Sequence, residues 1–234
     1  MITCASPKSS DETLNQEIIG VMEDVLRSGN YILGDQVSKF EIDFSKFIGQ
    51  NHGTGVNSGT DALILSLRAL GVGAGDEVIT VSHTALATVS AIVSCGATPV
   101  LVDIEEDYFS INPLEIELAI TSKTKAIIPV HIYGHAADMT LIMEIAKQYN
   151  LHVIEDCAQA TGAEYNGSLV GSIGTLGCFS FYPTKNLGGI GDGGMVVTNN
   201  QALASSVVAL RQYGWDSQRN AMISGLNSRL DELQ

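Results

Sequence analysis

Short apolar runs alternate with helical apolar–polar patterns from about residue 55 onward, which predicts a mostly parallel sheet with crossover helices. Strands are expected over residues 77–81, 99–103, 125–130, 152–156, 177–182 and 195–198. Helices are expected over 60–70, 85–94, 113–120 and 139–149, with Gly71 and Gly96 where glycine C-caps belong. Before residue 50 the pattern is purely helical. Leu14, Ile18, Val21 and Val25 mark one helix over 11–28, ahead of Gly29-Asn30 and Gly34, and a second is expected over 37–47. No repeat or low-complexity linker interrupts the chain. The expected organisation is a helical segment, 1–50, packed on a large α/β domain, 51–234. Residues 224–234 read as the opening of a helix with no capping glycine or polar tail after it, the pattern of a truncated chain.

Length and composition narrow the class. A chain of 234 residues that is 45% hydrophobic can bury a full core. Acids outnumber bases 26 to 12, a formal charge of −14, which opposes binding to a phosphate backbone and predicts no nucleic-acid partner. The four cysteines (Cys4, Cys95, Cys157, Cys178) form no CxxC pair and are read as free thiols in a reducing compartment. Residues 1–12 lack a basic stretch followed by an apolar one, so no secretory signal is expected and a cytoplasmic location follows. Residues 78–102 carry no formal charge over a length that could span a bilayer. Their Ser and Thr content, with His83, Gly96 and Pro99, predicts strand, loop, helix and strand instead, and no membrane partner.

Three places carry candidate chemistry. Lys185 follows the strand expected over 177–182, and Asp156 ends the strand expected over 152–156, where ligands bind in open parallel sheets. Glu155 beside it should face the other way. An amine and an acid so placed resemble the two ends of a pyridoxal-phosphate site, the lysine taking the aldehyde as a Schiff base and the acid holding the ring nitrogen protonated. Gly59 and Thr60 open a helix, whose free N–H groups and dipole form an anion site. Ser180 is near enough to add a hydroxyl to a phosphate. Plainer readings stand beside each: an ordinary N-cap at Ser58, a cap or ion pair at Asp156, a solvated loop lysine at 185. Residues 189–194 match G-x-G-x-x-G, but a strand follows instead of a helix, so the dinucleotide fingerprint is rejected. The five histidines (52, 83, 131, 135, 152) show no helical metal spacing, and Gly134 between His131 and His135 argues for a loop.

Taken together and in order, Ser28-Gly-Asn-Tyr-Ile-Leu-Gly34, Asn57-Ser-Gly-Thr-Asp-Ala-Leu63, Gly75-Asp-Glu-Val78, Gly96-Ala-Thr-Pro-Val100, Asp156-Cys-Ala-Gln159 and Ser180-Phe-Tyr-Pro-Thr-Lys185 resemble the DegT/DnrJ/StrS sugar-nucleotide aminotransferases. The likeness runs from about Asn15 to Gln234. It implies a fold-type I large domain, similar to aspartate aminotransferase, with pyridoxal 5′-phosphate as cofactor. It further implies that Lys185 is the catalytic lysine, Asp156 pairs with the pyridinium nitrogen and Gln159 approaches the phenolic oxygen. Gly59, Thr60 and Ser180 would hold the phosphate, and Asn227 would reach the phosphate of a neighbouring subunit in a homodimer.

The same resemblance implies amino transfer from L-glutamate to the keto group of a nucleotide-linked deoxysugar, in polysaccharide or antibiotic biosynthesis. The blocks 83–88, 213–215 and 227–231 look most like members acting on dTDP-linked 3-oxo-6-deoxyhexoses, with a 4-oxo sugar nucleotide or an inactive, cofactor-binding fragment as alternatives. Dehydratase relatives carry histidine where Lys185 stands, which disfavours that chemistry. Two departures matter. Ala85 occupies the place where many relatives stack an aromatic ring on the cofactor, leaving His83 or nothing to cover it. The resemblance also implies a small C-terminal domain beyond these residues, so the chain is read as truncated before it.

Overall fold

The computed structural model describes Pro7 and residues 11–234, so Cys4 lies outside the described residues. The first half of the chain forms α1 (Glu12–Ser28), α2 (Asp35–Ile48), β1 (His52–Val56), α3 (Gly59–Ala69), β2 (Glu77–Val81), α4 (Leu86–Ser94) and β3 (Thr98–Val102). The second half adds α5 (Pro113–Ala119), β4 (Thr124–Ile128), α6 (Met139–Tyr149), β5 (His152–Asp156), β6 (Glu164–Tyr165), β7 (Ser168–Leu169), β8 (Leu176–Ser180), β9 (Gly194–Thr198) and α7 (Gln201–Leu210).

Local chemistry sets the helix boundaries. Asp11, Ser58, Asn112, Asp138 and Asn200 each accept an amide of the first turn, starting α1, α3, α5, α6 and α7. Pro113 at the start of α5 gives up an N–H that would have no partner there. Gly71 and Gly96 adopt φ of 74° and 81° just past α3 and α4, as C-cap glycines should.

Seven strands order as β1-β9-β8-β5-β4-β2-β3. All neighbours pair parallel except β9, which runs against both β8 and β1. The sheet is therefore mostly parallel with helices on both faces, as the alternation predicts. The period of two divides the core: Val78, Ala126 and Ile154 pack with Leu63, Leu67, Ile92 and Val207 on one face. Their strand neighbours Ile79, Ile127 and Val153 pack with Ile116, Met139 and Ile142 on the other. A third cluster joins Phe44 and Ile48 of α2 to Phe179, Phe181, Met195 and Val197. Phe44 meets Phe179 and Phe181 edge-on at 5.0 and 5.3 Å between centroids. Burying Phe44 and Ile48 fixes α2 by about 2 kcal/mol each. By contrast α1 buries only Val25 and exposes Leu14, Ile19, Val21 and Leu26.

Residues 78–102 form β2, α4 and β3, and among the described residues no helix is long and apolar enough to cross a membrane. Cys95, Cys157 and Cys178 are free thiols.

Four elements lie outside the sequence pattern. β1 has too many glycines to read as a strand, yet a Cβ on Gly53 would sit 2.6 Å from the Glu41 carbonyl oxygen, so glycine is what lets α2 lie against it. The β6–β7 hairpin turns through Asn166 and Gly167, both at positive φ. α7 buries Ala204, Val207 and Leu210 at helical spacing.

One expectation is corrected. Residues 224–234 form no helix but an extended tail, bridged at Asn227 to Gln212 and at Asp231 to Ile32. Its Glu232 carboxylate accepts the Gly34, Gln36 and Val37 amides at 2.6, 2.9 and 3.1 Å. The α2 N-cap is Gly34, which has no side chain to offer, and Glu232 supplies the missing acceptor from the far end of the chain.

Candidate active site

The carboxyl ends of β5 and β8 and the N-terminus of α3 converge on a cavity of about 220 Å³. Asp156, Ala158, Gln159, Ser180, Lys185, Ser58, Gly59 and Thr60 line it, with Thr84, Ala85, Tyr182 and Asp192 around them. Six of the seven sequence-predicted site residues thus share one cavity.

Each arrives for a local reason. Asp156 is the last residue of β5, buried, and its Oδ1 accepts the Ala158 amide at 3.1 Å while Oδ2 accepts the Thr88 hydroxyl at 2.8 Å. Burial raises the carboxyl above its ordinary range; Thr88, the Ala158 amide and the nearby Lys185 oppose that rise. Lys185 sits in the loop after β8, where its amide donates to the Tyr182 carbonyl at 2.8 Å. Gly188 packs so tightly against Pro183 in this loop that a Cβ would meet the Pro183 carbonyl oxygen at 2.6 Å.

The anion end is built by close approach. A Cβ on Gly59 would lie 2.7 Å from the Ser180 Cβ, and one on Gly194 would lie 2.4 Å from the Ser58 carbonyl carbon. Glycine at both positions lets the α3 N-terminus seat itself over β8 and β9. Ser58 Oγ takes the Asp61 amide at 3.1 Å. The Gly59 and Thr60 amides, at the first two helical positions, have no intrahelical acceptor.

At the mouth, Gln159 Oε1 accepts the Tyr133 amide at 2.9 Å, so its NH₂ is the free end. Tyr133 is at φ 56° in a 3-10 turn over Ile132–Gly134, and its hydroxyl contacts His83 Nε2 at 3.1 Å. His83 is thus engaged edge-on with Tyr133, whereas Ala85 lines the cavity. Asn227 does not line the cavity; it is exposed, its Oδ1 accepting from Arg229 Nε at 2.9 Å. Tyr133 was not singled out by the sequence; Thr84 and Thr88 fall in the 83–88 block but were given no role, although they stand four residues apart at helical spacing.

Behind the cavity Glu155 faces the other way, as strand alternation requires. It accepts the Gly171, Ile173 and Gly174 amides and contacts His131 Nε2 at 3.0 Å. His131 Nδ1 accepts the Ala137 amide at 3.1 Å, which places the ring proton on Nε2. His131, Glu155 and Cys157 have ligand atoms within 4.8 Å of one another. Both His131 nitrogens and both Glu155 oxygens are already committed, so the cluster is a hydrogen-bonded support and not a metal site.

The donor set fits pyridoxal phosphate. A buried acid suits a protonated ring nitrogen, a helix N-terminus with Ser180 suits a phosphate, and Lys185 lies on the same cavity wall. Comparison with known proteins agrees. The chain is 48% identical over 227 residues to a dTDP-3-amino-3,4,6-trideoxy-alpha-D-glucose transaminase of Streptomyces venezuelae, covering 97% of this chain and 60% of the relative. Among solved structures, S. venezuelae DesV superposes with a TM-score of 0.95 at 47% identity, covering 98% of this chain and 62% of that one. Spr1654 of Streptococcus pneumoniae, solved in its PLP form, gives 0.89 at 29% identity over 99% of this chain and 64% of that one. The chain spans about 60% of the length of the curated relatives it matches. Residues 12–234 match the DegT/DnrJ/EryC1/StrS aminotransferase family, and the chain belongs to it.

Proposed function

We propose that this chain is the cofactor-binding part of a pyridoxal-phosphate aminotransferase that moves an amino group from L-glutamate to a keto group of a nucleotide-linked deoxysugar. The carrying observation is the single cavity that joins Lys185, Asp156 and the α3 N-terminus. When bound, the cofactor supplies an aldehyde for amines and a protonated ring that withdraws electrons from the reacting carbon. Lys185 is the attachment point and the group that carries a proton between the substrate carbon and the cofactor, as general acid–base work requires. Asp156 holds the ring nitrogen protonated. Gln159 turns its NH₂ toward the phenolic oxygen, and Gly59, Thr60 and Ser180 hold the phosphate.

In this reading residues 51–234 form the large domain with 1–50 packed on it, in the cytoplasm. A homodimer brings Asn227 to the phosphate of the neighbouring subunit, which accounts for its exposure. We infer a keto group at sugar position 3; the names of relatives of similar identity, which carry amino or oxo groups at that position, support this reading. Those names include both dTDP and UDP sugars; the motif likeness of residues 83–88, 213–215 and 227–231 favours a dTDP-linked 3-oxo-6-deoxyhexose.

The test is a visible spectrum of the chain with pyridoxal phosphate, beside Lys185→Ala. A band that is absent in the variant and bleaches with L-glutamate supports the site and its first half-reaction. Turnover retained without Lys185 would refute the assignment. Aminated product from dTDP-linked but not UDP-linked 3-oxo sugar would settle the nucleotide.

A further inference from the structure

Thr88 is fully buried in the first turn of α4, and its hydroxyl donates to Asp156 Oδ2 at 2.8 Å. The same hydroxyl also meets Thr84 Oγ1 at 2.7 Å, and Thr84 lines the cavity. A hydroxyl has one proton to give. With Asp156 ionised, Thr88 spends that proton on the carboxylate and accepts the proton of Thr84. Both hydroxyls then point along one line toward the acid. With Asp156 protonated the order reverses: the acid donates to Thr88, Thr88 to Thr84, and Thr84 to whatever the cavity holds.

We propose that Thr88, oriented by Thr84, is a positioning residue that keeps the Asp156 carboxylate ionised and aimed for a pyridinium nitrogen. The ligand in this inference rests on the reading of the cavity as a pyridoxal-phosphate site. The effect on Asp156 does not. A buried carboxylate with only one amide donor would favour its neutral form, and a neutral acid cannot hold a ring nitrogen protonated. The other groups near Asp156 cannot take over. The Ala158 amide serves the opposite oxygen, and Lys185 is committed to the cofactor in the working enzyme. His131 has both ring nitrogens engaged, by the Glu155 carboxylate and the Ala137 amide, and the Glu155 carboxylate is turned away from the cavity. The buried thiols of Cys157 and Cys178 have pKa values pushed further up by burial and stay neutral.

The experiment is a ¹³C-carboxyl NMR titration of Asp156 in the purified chain, with and without pyridoxal phosphate, for the wild type, Thr88→Val, Thr88→Ser and Thr84→Val. Without cofactor, Thr88→Val should raise the midpoint by about one pH unit, Thr88→Ser should return it to the wild-type value, and Thr84→Val should raise it less. With cofactor, Thr88→Val should weaken binding about tenfold, with the loss growing as pH falls. An unchanged midpoint in folded Thr88→Val overturns the inference. So does a Thr88→Ser variant that stays with Thr88→Val, since packing by the methyl would then be the role. If Thr88→Val does not fold, Thr84→Val decides: a wild-type midpoint there is equally fatal. A wild-type chain that binds no pyridoxal phosphate would refute the cofactor reading alone and leave the cofactor-free titration to judge Thr88.

Discussion

Glu155 and Asp156, adjacent on β5, send their carboxylates to opposite faces of the sheet and into opposite kinds of environment. Glu155 is saturated: three backbone amides and the His131 ring donate to its two oxygens. Asp156 receives one hydroxyl and one amide and otherwise faces the cavity. One acid is therefore a brace for the 171–174 loop, and the other holds capacity in reserve for a ligand.

Glu155→Gln should destabilise the chain by about 3 kcal/mol, because the new NH₂ faces amides that need an acceptor. Urea unfolding followed by circular dichroism measures this. A midpoint equal to wild type would show that the loop does not depend on that carboxylate.

Asp156→Asn should do the reverse in the cofactor-free chain. The folded-state pKa of Asp156 is raised, so the stability tied to its neutral form is present below the ordinary carboxylate range and is lost as pH rises through the raised value. Above that value the wild type carries a buried charge and Asp156→Asn does not. The variant should therefore gain stability relative to wild type as pH rises, while losing affinity for pyridoxal phosphate. Paired denaturation curves from acid to neutral pH test the sign, and a gap that closes with rising pH would contradict it.

Much of this was legible in the sequence because the sheet is built from local signals. The strands with apolar runs and the helices α1, α3, α5 and α6, capped by Asp, Ser or Asn, lie close to where the pattern puts them. Asp156, Ser180 and Lys185 reach the same cavity because β5 and β8 are parallel neighbours. What was hidden depends on distant partners. β1 is a strand because β9 pairs with it, and its glycines record the approach of α2 and Leu230. The hydroxyl of Thr88 meets Asp156 across 68 residues of chain, and no local pattern announces that. The tail at 224–234 has helical composition, but its polar groups find better partners elsewhere: Glu232 in the amides of α2, and Gln234 in the Gly191 amide at 2.6 Å.

That tail gives a stability prediction. Glu232→Ala would leave the Gly34, Gln36 and Val37 amides without their acceptor, two of them buried. The expected loss is about 2 kcal/mol, and Glu232→Gln should recover part of it through one remaining carbonyl oxygen. Amide hydrogen exchange at residues 36–38 should speed up in the alanine variant ahead of the rest of α2. Uniform exchange across the helix would mean that Glu232 caps nothing in solution.

Gly59→Ala tests the phosphate end. Its Cβ must displace Ser180, whose Cβ stands 2.7 Å away, so the α3 N-terminus moves off β8. Affinity for pyridoxal phosphate should fall by at least about tenfold, while affinity for pyridoxal, which has no phosphate, should change little. An equal loss for both ligands would mean that the whole cavity had collapsed and not the anion site alone.

Gln159→Glu separates orientation from occupancy. The substitution keeps an oxygen for the Tyr133 amide, so the turn over Ile132–Gly134 and its contact with His83 should persist. What changes is the free end: a donor becomes an anionic acceptor. A negative charge beside the cofactor's phenolic oxygen favours protonation there, so the pH at which the visible band of the bound cofactor changes should move up by about one unit. Gln159→Ala should lose the Tyr133 contact as well, and with it the edge-on packing of His83. If Gln159→Glu leaves the spectral titration where it was, the NH₂ of Gln159 does not face the phenolic oxygen, and its role reduces to bracing Tyr133.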